Sequence, residues 1–307
     1  MAPKKKETFF DFPRPVDATE LIGHGAVRRA FLDAWARRDE YPIHPVWLLT
    51  GPKGIGKATL AYDLARHIFS EIFGRDVSQQ MSVGGIGDLF IVDLEHNLVP
   101  AKSITMNTVC DMIEKLQLSS MGESWRVVII DSIDELSRGT ENTLLKTLEE
   151  PPAKTIFFVI AHSLDAVLPT IRSRARVEKM RPLPSMDLLA IGAKLLPGKE
   201  IGSDLIKISG GSFGRIAGLI ATGADTLFAD TIRMLKDKTA NGAHLMTLAK
   251  RIAANPENMA ILTDASAYFG LANIYSEAIF DIDRANVLNL DPEIAAFKIL
   301  TGMKKCL

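Results

Sequence analysis

Two groups of residues in this 307-residue chain have types and spacings that could do chemistry. The first is Gly51-Pro52-Lys53-Gly54-Ile55-Gly56-Lys57-Ala58-Thr59, which follows the apolar run Val46-Trp47-Leu48-Leu49 and opens an amphipathic helix pattern through about Phe69. A strand, a glycine loop and a helix in that order make a phosphate-binding loop. Glycines let backbone N–H groups converge on phosphate oxygens, the helix N-terminus adds partial positive charge, and Lys57 can reach the terminal phosphates of a nucleotide. One position departs from the pattern: Ala58 stands where a Ser or Thr hydroxyl would reach Mg²⁺. Thr59, one residue on, points roughly 100° further round the helix. Two readings stay open, a loop that binds nucleotide with impaired metal placement and a relic that keeps its fold and binds nothing.

The second group lies between Arg126 and Arg176. Val127 to Ile130 is short and β-branched, so it reads as a buried strand that ends on the carboxylate of Asp131. An acid at that edge of an α/β sheet helps hold Mg²⁺, usually through water, while a neighbouring acid orients the attacking water. Here the neighbour is Ser132, whose hydroxyl cannot act as a base near neutrality. Little or no hydrolysis is therefore expected at this chain's own site. Further on, Ser173-Arg174 follows a loop containing Pro169, and an outward guanidinium there could stabilise charge on a phosphoryl group held by another chain. The competing reading of Arg174 is a buried or surface ion pair.

The elements that must position these groups can be read from periodicity. Val27, Phe31, Ala34 and Trp35 recur at helical spacing after Leu21-Ile22-Gly23-His24; His24 could face a base, but a lone loop histidine is assigned no chemistry. Ser70 to Gly87 reads as a polar, glycine-rich loop, and Asp88 to Asp93 as a second buried strand. His96 and Asn97 begin a connection. Val109, Met112, Ile113 and Leu116 form a helical core stripe, Glu141 to Leu148 a short helix stopped by Pro151-Pro152, Ile156 to Ala161 a fourth strand, and Ala175 to Val177 a fifth. Alternating strands and helices predict an α/β fold with a parallel sheet covered on both faces. Arg181-Pro182-Leu183-Pro184 marks a boundary. Short helices follow over Met186 to Leu196, Ile201 to Ile208 and Gly210 to Ile220, then an all-helical tail with faces such as Leu227, Ile232, Leu235 and Leu245, Leu248, Ile252. The expected domains are 1–181, a nucleotide-binding type; 182–223, a small helical lid; and 224–307, an all-α oligomerisation collar.

Composition narrows the classes. With 47% apolar residues, a net charge of −1 and a pI near 6.6, the chain can bury a large core and exerts no overall pull on nucleic acid or anionic membrane. Cys110 and Cys306 are far apart without CxxC or Cys/His neighbours, which argues against a zinc module and a disulfide framework. The Lys4-Lys5-Lys6 run reads as a solvated tail rather than a nucleic-acid arm, and nothing in the sequence reads as a membrane span or a signal segment. Cytoplasm is the expected compartment.

Together GPKGIGKAT, VVIIDSIDELS, NTLLKTLEEPP and TIRSR resemble the clamp-loader branch of the AAA+ ATPases, closely over the first 180 residues or so and in layout beyond. The resemblance implies an AAA+ domain, a helical lid and a collar. It places Gly51, Gly54, Gly56 and Lys57 on the phosphate loop and Asp131 on the metal-site acid. Ser132 falls where motor subunits carry the catalytic glutamate, and His162 near a sensor position usually held by Thr or Asn. Arg174 falls on the arginine of a Ser-Arg-Cys motif that acts in trans on a neighbour's ATP, with Ala175 in place of the cysteine. Motor subunits place a lid arginine two residues after Gly-Ser, where this chain has Gly214 followed by Arg215, a non-motor register. The implied role is a stator of the DNA polymerase III clamp loader, beside motor subunits of gamma/tau type and a delta subunit, acting on a sliding clamp and primed DNA. ATP is implied weakly or not at all, Mg²⁺ only with nucleotide, and no zinc and no membrane. The alternative is a self-sufficient AAA+ ATPase, a motor subunit or helicase loader; Ala58, Ser132 and Gly214 speak against it.

Overall fold

The sheet forms where β-branched and aromatic residues run without interruption. Strands β1 (Val46–Thr50), β2 (Leu89–Asp93), β3 (Arg126–Asp131), β4 (Thr155–Ala161) and β5 (Arg176–Lys179) pair in parallel in the order β2-β3-β4-β1-β5. Parallel neighbours need crossovers, and here helices supply them and cover both faces. These are α1 (Gly25–Ala36), α2 (Lys57–Phe73), α3 (Ser78–Ser82), α4 (Met106–Leu118), α5 (Arg138–Glu149) and α6 (Pro169–Arg172). This computed structural model describes residues 13–93, 104–118, 124–274, 276–279, 282 and 291–307. The Lys4-Lys5-Lys6 tail and the His96-Asn97 connection lie outside the described residues.

The strand period of two divides the apolar residues between the faces. Trp47, Leu49, Val127, Ile129, Phe158 and Ile160 pack with Phe31 and Trp35 of α1 and with Leu60, Leu64 and Ile68 of α2. Leu48, Val128, Ile130, Phe157 and Val159 face Val109, Met112 and Leu116 of α4 and Leu144 and Leu148 of α5. The register sets Thr50 opposite Ala161, and Asp131 between Asp93 and Ile160. The phosphate loop and Asp131 therefore leave the sheet at the same carboxyl edge, where ligands of open α/β sheets bind.

Several elements differ from the sequence expectation. Residues 70–87 are not one loop: α2 runs on to Phe73, where Gly74 takes the left-handed conformation (φ 62°), and α3 follows. Val77 and Met81 are buried in the core, and Ser82 ties the same turn to Arg14, which donates to its carbonyl at 3.0 Å, and to Asp17, which accepts from its hydroxyl at 2.5 Å. Strand β2 is not buried throughout; as the edge strand it buries only Val92 fully. Helix α5 begins three residues earlier than Glu141, because the Ser137 hydroxyl caps it by accepting from Thr140 N–H at 3.2 Å. Pro169 lies in a helix rather than a loop, at the first turn of α6, where its missing N–H costs nothing.

The chain forms two compact units, Pro13–Ile191 with Ser212–Gly214, and Gly192–Gly211 with Arg215–Leu307. Helices α7 (Ser185–Leu195), α8 (Ser203–Ser209), α9 (Phe213–Ala221), α10 (Ala224–Lys236), α11 (Gly242–Ala253), α12 (Ala260–Phe269) and α13 (Pro292–Cys306) follow the sheet in sequence. Phe228, Ile232, Leu248, Ile252, Leu262 and Leu300 form the core of the second unit. There Lys304 of α13 caps the end of α10, donating to the carbonyls of Met234, Leu235 and Asp237.

Candidate functional site

The loop between β1 and α2 has all six of its carbonyls engaged. Lys57 Nζ donates to Gly51 O at 2.6 Å and Pro52 O at 2.7 Å. Ser212 Oγ donates to Lys53 O at 2.8 Å, and Gly214 N–H to Gly54 O at 2.9 Å. His24 Nε2 lies 2.7 Å from Ile55 O, and Leu60 N–H donates to Gly56 O at 3.0 Å. With its acceptors engaged, the loop has N–H donors left to offer a ligand, and converging N–H groups suit an anion. His24 thus clamps the loop backbone, and burial, opposed by the bond to Ile55, lowers its pKa.

Gly54 and Gly214 fit only each other. A Cβ at Gly214 would sit 2.8 Å from Gly54 Cα, and one at Gly54 (φ 76°) would sit 3.0 Å from Gly214 Cα. No side chain, least of all an arginine, fits at 214 while this contact stands. The next residue, Arg215, is ion-paired to Asp264 of α12.

Lys57 is only 4% exposed, and burial lowers its pKa to about 8, with Asp131 and Asp134 opposing the shift. Asp131 is held above the usual carboxylate range by burial, partly offset by His162 and Lys57. Asp134 shows how the β3 and β4 ends are tied. It accepts from the N–H groups of His162 at 2.7 Å and Ser163 at 3.0 Å, and faces the His162 ring at 3.3 Å. Burial alone would raise its pKa, but these bonds outweigh burial and lower it. Ser132 is 2% exposed and its hydroxyl has no hydrogen-bond partner among the described residues. It is a buried, inert side chain rather than a group aimed at water.

Phosphate and metal requirements therefore separate. The loop N–H groups and a lysine fit a polyphosphate, provided Lys57 leaves its two carbonyls. The metal donors fit poorly: Ala58 packs against the apolar core, Ser132 is buried, and Asp131 is the remaining acid of the pair. Ile55 is a core residue, Thr59 is half-buried on α2, and Pro52 and Lys53 are exposed, with Lys53 pairing weakly to Glu135 at 3.1 Å. Among the described residues no group of three or more His, Cys, Asp or Glu gathers as a metal site. No described helix is long and apolar enough to cross a membrane.

Arg174 follows α6, at the surface. Its Nη1 donates to Thr170 O at 2.8 Å and lies 3.4 Å from Ser173 Oγ, while Nη2 meets Glu149 Oε1 at 2.6 Å. The side chain remains 36% exposed. Of the two readings of this residue, a surface ion pair is what the isolated chain displays, and the guanidinium is not withdrawn into the interior. The neighbouring Arg176 lies over the Trp47 ring and pairs with Glu178.

A family model described as "DNA polymerase III, delta subunit" matches residues 35–184. DNA polymerase III subunit delta' of Pseudomonas aeruginosa is 28% identical over 221 residues, 68% of this chain and 63% of that protein. DNA polymerase III subunit gamma of Buchnera aphidicola (subsp. Schizaphis graminum) is 26% identical over 204 residues, 64% of this chain and 54% of that protein. Over these residues the chain is similar to clamp-loader subunits of DNA polymerase III. It spans between about half and two thirds of the length of these two relatives. The crystal structure of a gamma subunit-related protein from Thermotoga maritima, 13% identical, covers 92% of this chain and 98% of its own at a TM-score of 0.50, a likeness of fold.

Sequence reasoning assigned no role to three residues of this site. Asp134, three positions after Asp131, binds the β4 end; Ser212 bonds the phosphate loop from 159 residues away; and Glu149 holds Arg174. Each lay within a motif without being singled out: Asp134 in VVIIDSIDELS, Ser212 in the Gly-Ser before Gly214, and Glu149 in NTLLKTLEEPP.

Proposed function

We propose that this chain is a delta′-type subunit of a DNA polymerase III clamp loader, a stator rather than a motor. In this reading it stands beside gamma/tau-type motor subunits and a delta subunit in the complex that places a sliding clamp on primed DNA. Its own nucleotide site is weak or silent, and Arg174 is supplied in trans to ATP held by the adjacent motor. Residues 1–181 act as the AAA+ domain, 182–223 as the lid and 224–307 as the collar. The observation that carries the reading is Ser132: the position that needs a base holds a buried hydroxyl with no partner among the described residues, so no group there activates water. The Gly54–Gly214 contact, which leaves no room for a lid arginine, supports it.

Such a chain, purified alone, turns over no ATP above background and forms a stable heteromer when mixed with a gamma/tau-type subunit. The gamma relatives keep a second reading open, a self-sufficient ATPase. Brisk turnover by the lone chain decides for it.

A further inference from the structure

The helix that follows β3 carries both anchors of the segment leading to Arg174. Near its start, the Glu141 carboxylate is 97% buried on a residue basis (3% exposed) and accepts from the backbone N–H of Leu168, immediately before α6. At its end, Glu149 Oε1 takes Arg174 Nη2 at 2.6 Å. Between these points α6 is a four-residue turn whose Thr170 carbonyl accepts from Arg174 Nη1. A guanidinium has five N–H donors in a rigid fork. Thr170, Ser173 and Glu149 hold one edge of it, so among the described residues the Nε–H and one Nη2–H face no protein acceptor. A planar group held along one edge presents the other in a fixed direction.

From this arrangement we infer that Glu149 is a positioning residue for Arg174: it fixes the guanidinium plane so that the opposite edge is presented to an anionic oxygen of a triphosphate bound by the neighbouring subunit. The inference rests on the trans role proposed for Arg174. Glu149 touches no reacting atom, and it acts by removing the rotamers a long side chain must otherwise lose when it engages. Its charge also cuts the other way, because a carboxylate beside the finger weakens the attraction for phosphate. The positioning effect is predicted to win, because the Glu149 side chain is itself 44% exposed, where water screens its repulsion of a more distant phosphate more than it loosens a 2.6 Å contact.

The test uses the assembly reconstituted with a gamma/tau-type motor subunit, and reads kcat and KM for ATP under clamp and primed-DNA stimulation. Variants of this chain are Arg174→Ala, Glu149→Gln, Glu149→Asp and the double substitution Glu149→Gln/Arg174→Ala. Glu149→Gln is expected to lower kcat about tenfold with KM for ATP unchanged, in line with small misplacements of a catalytic group. Glu149→Asp should recover most of the loss, and Glu149→Gln should add nothing once Arg174 is gone. An unchanged or raised kcat in Glu149→Gln, or the same tenfold loss on top of Arg174→Ala, overturns the positioning role. If Arg174→Ala alone leaves kcat intact, the trans role itself falls. Melting of each lone variant within about 2 °C of the parent excludes misfolding as the cause, as expected for a surface pair.

Discussion

The Gly54–Gly214 contact makes a prediction whose control lies on the same helix. In Gly214→Ala the new Cβ would stand 2.8 Å from Gly54 Cα, 3.3 Å from Gly54 O and 3.5 Å from Gly54 C. Carbon atoms rest at about 3.5–4.0 Å, so the backbones of residue 214 and Gly54 must part by roughly 0.7 to 1 Å. That movement stretches the 2.9 Å bond from Gly214 N–H to Gly54 O. Overpacking costs about 1–3 kcal/mol and a weakened hydrogen bond about 1 kcal/mol, less about 1 kcal/mol gained by replacing a helical glycine with alanine. The expected net loss is about 2 kcal/mol. Gly218, one turn on, has nothing within 4 Å of its would-be Cβ, so Gly218→Ala should be stabilising by up to about 1 kcal/mol. Urea denaturation of the two variants side by side reads the difference directly, and in a thermal melt the Gly214 variant should fall by about 4–8 °C. Equal stability of the two variants would refute the packing argument, and with it the claim that no lid arginine can occupy 214.

Two further outcomes follow from the buried groups. Lys57 titrates near 8 in the fold against 10.5 unfolded, so between those values the unfolded chain holds more protons and stability rises with pH. The parent should therefore gain up to about 3 kcal/mol relative to Lys57→Met from pH 8 to 10.5; parallel stability curves for the two proteins contradict this. Ser132→Ala removes a buried hydroxyl that has no partner among the described residues, so it should be neutral or stabilising by up to about 1 kcal/mol and leave the ATP turnover of the assembly unchanged. A loss of turnover in that variant assigns the hydroxyl a chemical role that its surroundings do not support.

Much of the sheet was legible because β1, β3 and β4 are buried on both faces, which demands uninterrupted Val, Ile, Leu and Phe. At the edges the signal thins: β2 buries one residue fully, and the apolar signal of α3 is Val77 and Met81 among glycines and polar residues. The phosphate loop was readable as a local pattern, and so was its defect at Ala58. What surrounds it was not. Ser212 and Gly214 reach the loop across some 160 residues of sequence, and no periodicity announces a glycine placed for a neighbour's backbone. Arg174 could be singled out by motif, but its partner Glu149 sits 25 residues upstream on another helix, and a charge pair at that separation leaves no trace in spacing.

The measurement that bears most directly on the division of labour is ATP turnover by the heteromeric assembly carrying Arg174→Ala in this chain. Loss of a trans guanidinium should reduce turnover by about 10³-fold or more, with assembly intact and the lone chain silent before and after the change. Turnover equal to the parent's, with the altered subunit shown to be incorporated, contradicts the account.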